Sequence, residues 1–259
     1  MGQEISIDKT VKSVRRVFEI FELFERERRA MSAKEVATAL NYPLTSTHAL
    51  LKSIHDLGYA DYDAERWTYV PSPALSMVSE WSRDFLSREA SIVDLAGQLN
   101  NETRETINLS RRINLRIRII YGLESQQSVG VSVRIGTMMP LYQTHTGIVA
   151  LSAMDDSERA ASLERLAEND PEQFASVDQS LIEATHTELT ERGSAMGCDR
   201  FMQGIGAICT PIVTSDRAEP LVLGIVGPSD RIAARGDEHR KVLKRLVAEH
   251  KVKTLFRLR

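Results

Sequence analysis

One histidine and two cysteines in the second half of the chain are the residues best suited to chemistry. His145 lies between Thr144 and Thr146 at the start of a predicted helix, and Cys198 and Cys209 lie in or beside predicted strands. A histidine at a helix N-terminus can donate a hydrogen bond to an anion, and an ionised cysteine is a nucleophile or a redox sensor. The simpler alternatives are a cap or core position for the histidine and small buried apolar roles for the cysteines.

These residues do not form a recognisable catalytic signature. No Ser, Cys or Lys has a base partner at a familiar spacing, and the sequence contains no GxSxG motif, glycine-rich phosphate loop, CxxC pair or His/Glu metal spacing. His186, His239 and His250 lie on charged helical segments and are expected to be solvated. The sequence therefore predicts no cofactor and no metal, and an enzyme built on the three residues above is kept only as an alternative.

The composition is that of an ordinary globular protein. The chain has 259 residues, enough for two domains, with 42% hydrophobic and 27% charged residues. It has no signal-peptide-like run and no stretch long enough to span a bilayer, so the cytoplasm is the expected location. The net charge is −3, and the first 80 residues contain ten Lys and Arg against twelve Asp and Glu. Bulk charge therefore gives no support to nucleic-acid binding.

Three helices and a hairpin are predicted in the first 72 residues. The predicted helices cover residues 11–28, 32–40 and 44–57, and a hairpin with a four-residue turn covers residues 58–70. Ser32 and Glu35 form a capping box for the second helix, and Asn41-Tyr42-Pro43 ends it. Helix, tight turn, helix and hairpin is the order of a winged helix-turn-helix, which places one helix in the DNA major groove.

The third helix has two distinct faces at helical spacing. The predicted inward residues are Thr47, Leu50, Ile54 and Leu57. The predicted outward residues are Thr45, His48, Ala49 and Lys52. If the outward residues were buried, they could not contact DNA, and a DNA-binding role for this helix would be excluded.

The segment that follows the hairpin is predicted to be a linker of one long or two short helices. Its apolar stripe either meets another subunit or packs on its own domain. The stripe consists of Leu75, Val78, Trp81, Phe85, Ile92, Leu95 and Leu99.

After Asn101 the pattern changes to strands and helices. Alternation or continuous apolar runs predict strands over residues 113–119, 129–133, 205–213 and 221–226. Helices are predicted over residues 144–154, 157–167, 177–192 and 237–256. This combination predicts an α+β domain in which helices cover an antiparallel sheet.

Five separated segments, taken in order, form a pattern. They are Ser13–Ile20, Tyr42–Leu51 with Leu57–Tyr59, Gly136–Leu141 with Thr146–Gly147, Gly204–Ile212, and Gly227–Pro228 with Arg231. They resemble, in turn, the first-helix motif, the recognition helix with its wing, the segment that opens the effector pocket, the late strand, and the turn after the last strand of IclR-type (isocitrate-lyase-regulator) bacterial transcription factors. Together they span nearly the whole chain.

The resemblance implies both an architecture and a function. It implies a winged helix-turn-helix DNA-binding domain over residues 1–72, a linker helix over 73–100 and a GAF/profilin-like effector-binding domain over 101–259. It also implies a homodimer or homotetramer that binds double-stranded operator DNA, responds to a small organic effector such as an aromatic or carboxylic acid, and represses or activates a catabolic operon.

The resemblance places DNA contacts on the first helix, the recognition helix and the wing. The candidate residues are Arg15, Arg16, Thr45, Ser46, His48, Lys52 and Arg66. The family usually has a basic residue at position 44 and an arginine at position 49, where this chain has Leu44 and Ala49. An alanine offers DNA only a methyl group. These departures leave open a regulator with an unusual operator or a ligand sensor with weakened DNA binding, and a solvated face is the alternative for the two arginines of the first helix.

The implied effector site departs from the family as well. The candidate residues are Met138, Leu141, His145, Thr146, Cys198, Arg200, Ile205, Ala207, Gly224 and Val226. Gly224 and Val226 stand where the family often has two serines, and Ile148 stands where it commonly has lysine. A larger or less polar effector, such as an aromatic compound, is therefore expected. Arg200 is the expected partner of an anionic ligand, with a surface position as its alternative.

Overall fold

The computed structural model describes residues 11–77, 90–213 and 219–258. The chain divides into two compact units, Met1–Arg88 and Glu89–Arg259, which we describe separately as the N-terminal and C-terminal units. Val78, Trp81 and Phe85 of the predicted linker stripe lie outside the described residues.

The described residues of the N-terminal unit, 11–77, contain three complete helices, a short helical stretch over residues 74–77 and a small antiparallel sheet. The helices are α1 (Lys12–Glu27), α2 (Ala33–Leu40) and α3 (Leu44–Asp56), and the strands are β1 (Met31–Ser32), β2 (Ala60–Asp63) and β3 (Thr68–Pro71), in the order β1-β3-β2. This is the predicted winged helix-turn-helix, with β1 added to the edge of the wing.

Local signals fix the boundaries of α2. The Ser32 hydroxyl accepts a hydrogen bond from the Glu35 amide, and the Glu35 carboxylate accepts one from the Ser32 amide, which confirms the capping box. The backbone hydrogen bond from Ser32, with help from Arg29, lowers the pKa of Glu35 to about 2. Asn41 ends the helix in the left-handed conformation (φ 54°), which asparagine tolerates better than most residues.

The buried core of this unit shows that the inward face of α3 differs from the predicted one in one residue. Ile20, Leu51 and Ile54 are buried between the helices. Leu57, predicted to point inward, follows the last residue of α3 and is 73% exposed, while Leu51 takes the buried position. The inward face of α3 is therefore formed by Thr47, Leu51 and Ile54, which follow one another at intervals of four and three residues.

The C-terminal unit is a sheet with helices on both faces. Its helices are α4 (Ala90–Thr103), α5 (His145–Ser152), α6 (Asp156–Asn169), α7 (Pro171–Ala175), α8 (Gln179–Arg192), α9 (Ser229–Ala234) and α10 (Gly236–Glu249). Its strands are β4 (Thr106–Ile113), β5 (Arg116–Leu123), β6 (Met138–Pro140), β7 (Ala195–Cys198), β8 (Ile205–Val213), β9 (Leu221–Pro228) and β10 (Lys253–Thr254).

The strands of this sheet are antiparallel throughout. Their order is β10-β8-β9-β4-β5-β6, and β7 pairs with β8 on the same edge as β10. Helices α5 and α8 pack on each other, and α5 covers β8 and β9, whereas α4 and α10 pack together and contact β4 and β8. Because helices cover both faces, the central strands β8 and β9 are almost wholly buried, which explains their continuous apolar sequences. The predicted α+β fold class is confirmed.

Two predicted strands of this unit are wrong, and the last predicted helix is present but shorter than expected. The strand predicted over residues 113–119 is a tight hairpin, because Asn114 adopts φ 54° and turns the chain between β4 and β5. Residues 129–133 form no strand, since their backbone groups bond to side chains instead, as in the Thr106 hydroxyl that donates to the Val131 carbonyl. The last helix ends at Glu249, and residues 253–254 pair with β8.

Apart from Leu75, which is half-buried in the N-terminal unit, the described residues of the linker stripe pack within the C-terminal unit. Ile92, Leu95 and Leu99 are buried on α4, which contacts α10 and β4. For these residues the structure supports packing on their own domain, the second of the two alternatives.

His239 on α10 corrects another expectation, because it is fully buried rather than solvated. Neither of its ring nitrogens has a hydrogen-bond partner among the described residues. Burial, assisted by the nearby Arg235, lowers the pKa of His239 below its usual 6.5. The folded chain therefore resists binding a proton here that the unfolded chain accepts.

This burial predicts a pH dependence of stability. Below about pH 6.5 the unfolded state binds the extra proton, so the free energy of unfolding falls as the pH drops from there towards the lower pKa of the folded state, and is unaffected above it. His239→Met removes the titrating ring and keeps an adaptable apolar side chain. We expect a higher free energy of unfolding and a shallower acid slope than in the wild type, measured by urea denaturation between about pH 8 and pH 5. Parallel profiles for the two proteins would contradict this.

Candidate nucleic-acid interface and ligand cavity

The outward face of α3 presents an exposed polar stripe. Thr45, His48 and Lys52 are all exposed and lie at spacings of three and four residues, so their side chains follow one another along the same side of the helix. A hydroxyl, an imidazole and an ammonium group can donate hydrogen bonds to base edges or phosphates. The condition on which the DNA-binding prediction depended is met.

The other predicted DNA contacts are more constrained. The Ser46 hydroxyl donates to the Pro43 carbonyl at 3.0 Å, within the first turn of α3. Arg15 pairs with Glu19 at 3.6 Å, and the Arg16 guanidinium stacks 4.6 Å from the centre of the Tyr42 ring. Both arginines are half-buried, so they are partly engaged within the unit.

The wing exposes a basic side chain next to an aromatic one. The Arg66 side chain is 83% exposed and lies 3.9 Å from Asp63, whose carboxylate also accepts hydrogen bonds from the amides of the turn. Trp67 beside it is exposed and adopts φ 57°, a conformation that is strained for a bulky side chain. Residues 63–66, which form the turn before it, contain no glycine that could take this left-handed position.

Leu44 and Ala49 are exposed on α3 together with the polar stripe. Their positions confirm that the departures from the family pattern lie on the surface of the recognition helix and not in the core. Any contact that they make with DNA is apolar, such as contact with a thymine methyl group.

The C-terminal unit contains a cavity of about 490 Å³. It lies between the start of α5, the ends of strands β4, β8 and β9, residues 129–137 (the wall segment) and residues 199–204 between β7 and β8 (the rim loop). Most of its lining is apolar, and no acidic residue lines it. This size and character are typical of small-molecule sites.

Seven of the ten predicted effector residues line this cavity. They are Met138, His145, Thr146, Arg200, Ile205, Ala207 and Val226. Leu141 instead belongs to the fully buried core. The Cys198 sulfur lies 3.6 Å from the Ser229 carbonyl, behind the strand, and Gly224 is covered by Asn108, whose Oδ1 would lie 2.4 Å from a Cβ at position 224.

The buried histidine of the cavity has a defined tautomer. Nε2 of His145 lies 3.0 Å from the Ala195 carbonyl, which can only accept, so Nε2 carries the hydrogen. Burial lowers the pKa of His145, which keeps the ring neutral and leaves Nδ1 as an acceptor. The predicted role as a donor to the ligand is therefore corrected, because the ring's one hydrogen is already used.

Neither cysteine is suited to be a nucleophile. Cys209 is fully buried, 3.8 Å from the Thr146 hydroxyl, and burial raises its pKa to about 12. Burial also raises the pKa of Cys198, with Asp199 adding to the effect. A nucleophilic cysteine needs the opposite shift, since the thiolate is the reactive species.

Several cavity residues were missed from the sequence. Asn108 and Ile119 come from β4 and β5, whose pairing could not be deduced without recognising the hairpin at Asn114. Others come from irregular segments with no periodic signal. The further lining residues are Val131, Ser132, Val133, Arg134, Thr137, Met139, Thr144, Gly197, Phe201, Met202 and Gly206.

A larger cleft of about 670 Å³ beside the β4–β5 hairpin is a weaker candidate. Its Arg112 guanidinium is paired with Glu158 at 2.6 Å and with Glu219 at 2.5 Å. The charge of this arginine is therefore already balanced by two carboxylates.

Metal centres and membrane spans are two further kinds of site that a chain of this size could carry. The described residues contain no cluster of three or more His, Cys, Asp or Glu side chains arranged to hold a metal ion. Among the helices that the structure describes, none is both long enough and apolar enough to cross a bilayer.

Comparison with known proteins identifies both units. The family model of the IclR helix-turn-helix domain matches residues 13–64, and the model described as the bacterial transcriptional regulator IclR C-terminal domain matches residues 90–250. The chain belongs to the IclR family of bacterial transcriptional regulators. An IclR-family regulator has a helix-turn-helix DNA-binding domain and a C-terminal domain, and the polar stripe on α3 and the cavity lie in these two parts. No curated protein matches the chain.

Solved structures of other IclR-family proteins share the fold. The regulator from Brucella abortus is 19% identical, with a TM-score of 0.67 over 97% of this chain and 95% of that one. The regulator from Alicyclobacillus acidocaldarius is 22% identical, with a TM-score of 0.69 over 93% and 98%. The IclR protein of Thermotoga maritima is 18% identical, with a TM-score of 0.66 over 92% and 96%.

Proposed function

We propose that this IclR-family protein is an effector-responsive regulator that binds operator DNA in the bacterial cytoplasm as a dimer or tetramer. The single observation that supports this best is the exposed stripe of Thr45, His48 and Lys52 on the recognition helix. Two copies of that helix, one from each subunit, would read two half-sites of a pseudo-palindromic operator. The operator would belong to a catabolic operon, which the protein represses or activates.

The cavity is the proposed effector site. Its apolar lining favours a ligand with an aromatic or aliphatic body, and Arg134 and Arg200, without an acidic neighbour in the lining, favour a carboxylate. Ligand binding would change the relative stability of two arrangements of the dimer and so the affinity for DNA. The raised pKa of both thiols supports this binding role over an enzyme built on the cysteines.

Lys52→Ala tests the DNA-binding surface. If the ammonium group contacts a phosphate, its removal should weaken binding to the protein's own upstream intergenic DNA by about tenfold and reduce the salt dependence by about one counterion. Fluorescence anisotropy at two salt concentrations measures both. Lys241→Ala removes another exposed lysine, on α10 of the other unit. It is the matched control and should leave binding unchanged.

The exposed Leu44 and Ala49 favour a second candidate, a ligand sensor with weakened DNA binding. It predicts binding that is absent, or equal on the upstream DNA and on an unrelated duplex. Sequence-selective binding that Lys52→Ala weakens would support the regulator and exclude this sensor.

A further inference from the structure

The centre of the exposed side of α3 is occupied by a methyl group. Ala49 lies two residues after Thr47 and two residues before Leu51, and both of these neighbours are buried. Because two residues turn an α-helix by about 200°, the Ala49 side chain points away from the core on which α3 packs. It is exposed, with Thr45 one turn before it and Lys52 one turn after it. A DNA groove that received this helix would therefore meet the Ala49 methyl group at the centre of the contact.

The two serine hydroxyls that flank Ala49 already donate their hydrogens within the helix. The Ser46 hydroxyl donates to the Pro43 carbonyl at 3.0 Å, and the Ser53 hydroxyl donates to the Ala49 carbonyl at 2.9 Å. Serine side chains in helices often bond to a carbonyl of the preceding turn in this way. Since a hydroxyl carries one hydrogen, neither serine can donate to a base edge without giving up its bond. By helical spacing, the donors of the polar stripe all lie on the other side of Ala49.

The two ends of this side of α3 differ in their suitability for DNA. Asp56, the last residue of the helix, is exposed about 10 Å further along the axis than Ala49, and its carboxylate is repelled by phosphates. The first residue, Leu44, is 51% exposed and uncharged. Recognition helices contact base edges mainly through their N-terminal residues. The half of α3 that can enter a groove therefore has Leu44 at its tip and Ala49 in its middle, and both offer carbon atoms to the bases.

We infer that α3 selects its operator by packing the Ala49 methyl group against the C5-methyl group of a thymine in each half-site. That methyl is the apolar group that an unmodified base edge presents in the major groove. Ala49 is then the specificity-determining residue of the helix, while the polar stripe beside it contacts phosphates and neighbouring base acceptors. The inference rests on the proposed DNA-binding function and adds to it the chemical group that is read.

Replacing thymine with uracil removes the methyl group and keeps the base pairing, so it tests the inference directly. The upstream intergenic duplex and an unrelated duplex are each prepared with deoxythymidine or with deoxyuridine, and their affinities for the full-length protein are measured by fluorescence anisotropy. Burial of one methyl group changes an affinity by about fourfold, and a dimer makes two such contacts. We therefore expect the upstream duplex to bind about tenfold or more weaker in its uracil form, and the unrelated duplex to bind equally in both forms.

Variants of α3 complete a double-mutant cycle with the two forms of DNA. Ala49→Gly removes the protein's methyl group and should reduce the preference for thymine over uracil to about threefold or less. Ala49→Gln puts an amide in the same place with a strong helix former, so it gives the same comparison if the glycine variant does not fold. Lys52→Ala is the matched control. It should weaken binding to both forms by a similar factor and keep the preference, because a phosphate contact carries no sequence information.

Two results would overturn the inference and leave the proposed regulator in place. In the first, the wild type selects the upstream duplex over the unrelated one but binds its thymine and uracil forms equally. In the second, the preference for thymine is unchanged in the Ala49 variants, which would assign it to the altered stiffness of uracil DNA. A protein that does not distinguish upstream from unrelated DNA in either form would instead reject the regulator, and the inference with it.

Discussion

Replacing Glu105 with alanine is expected to lower the free energy of unfolding of the C-terminal unit by about 4 kcal/mol. Glu105 is completely buried at the start of β4, and its two carboxylate oxygens accept hydrogen bonds from the Arg231 guanidinium, one of them at 2.8 Å. The same arginine donates to the Val129 carbonyl at 2.9 Å and so also holds the wall segment. Without the carboxylate, a largely buried cation loses its partner. Urea denaturation followed by circular dichroism measures the loss.

An exposed ion pair provides the control. Glu102 pairs with Arg245, and both side chains are about half exposed. Solvent screens such a pair, so Glu102→Ala should cost about 1 kcal/mol or less. Equal losses in the two variants would show that burial of the Glu105 pair has no special effect.

Gly147→Ala is expected to cost the same unit about 3 kcal/mol or more. Gly147 lies in the first turn of α5, where its amide donates to the Thr144 hydroxyl at 3.0 Å. A Cβ at this position would lie 2.0 Å from the Leu141 carbonyl oxygen, which is backbone and cannot rotate away. Either α5 or the strand end must move, and both border the cavity. The variant should therefore unfold at a lower temperature than the wild type and also lose effector binding.

Gly97→Ala is the matched substitution with the opposite expected sign. Gly97 lies within α4, and no atom lies within 4 Å of the position that a Cβ would occupy, so alanine should raise stability by about 0.5–1 kcal/mol. A stabilised Gly147 variant, or a destabilised Gly97 variant, would contradict the packing argument.

The N-terminal unit was predictable because its signals are local. The capping box at Ser32, the left-handed Asn41 and the spacing of apolar residues each act within a few residues of chain. The exceptions are positions whose environment depends on distant partners. Strand β1 exists only because Met31 and Ser32 pair with β3. A strand of two residues is too short to show a periodic pattern, so the sequence could not predict it.

The C-terminal unit was less predictable because its sheet joins residues far apart in sequence. Alternating apolar residues on both sides of Asn114 looked like one strand, although a left-handed asparagine turns the chain there. Val131 and Val133 alternate with polar residues for another reason, since they line the cavity from an irregular segment. His239 was assigned to solvent from its charged neighbours along α10, while its burial depends on which face of the helix packs inward.

The candidate sites also differ in how far local sequence signals predict them. The outward residues of α3 followed from helical spacing alone, whereas only some of the cavity residues followed from the family resemblance. Asn108 could not be found from the sequence because its position in the cavity lining depends on the pairing of β4 with β9, where it lies opposite Gly224. Whether the outward residues of α3 contact DNA is what the proposed variants test.

The wall segment has a consequence for how such a protein can change over generations. It contributes Val131, Val133, Arg134 and Thr137 to the cavity. Its last two residues bond to the backbone of Ile119 on β5, but residues 129–133 form no strand and are held by side chains such as Glu124 and Arg231. Insertions or substitutions within residues 129–133 would alter the shape and polarity of the cavity without breaking a backbone hydrogen bond to the sheet. A lineage could acquire a new effector through this segment while inheriting the same sheet, and with it the same stability.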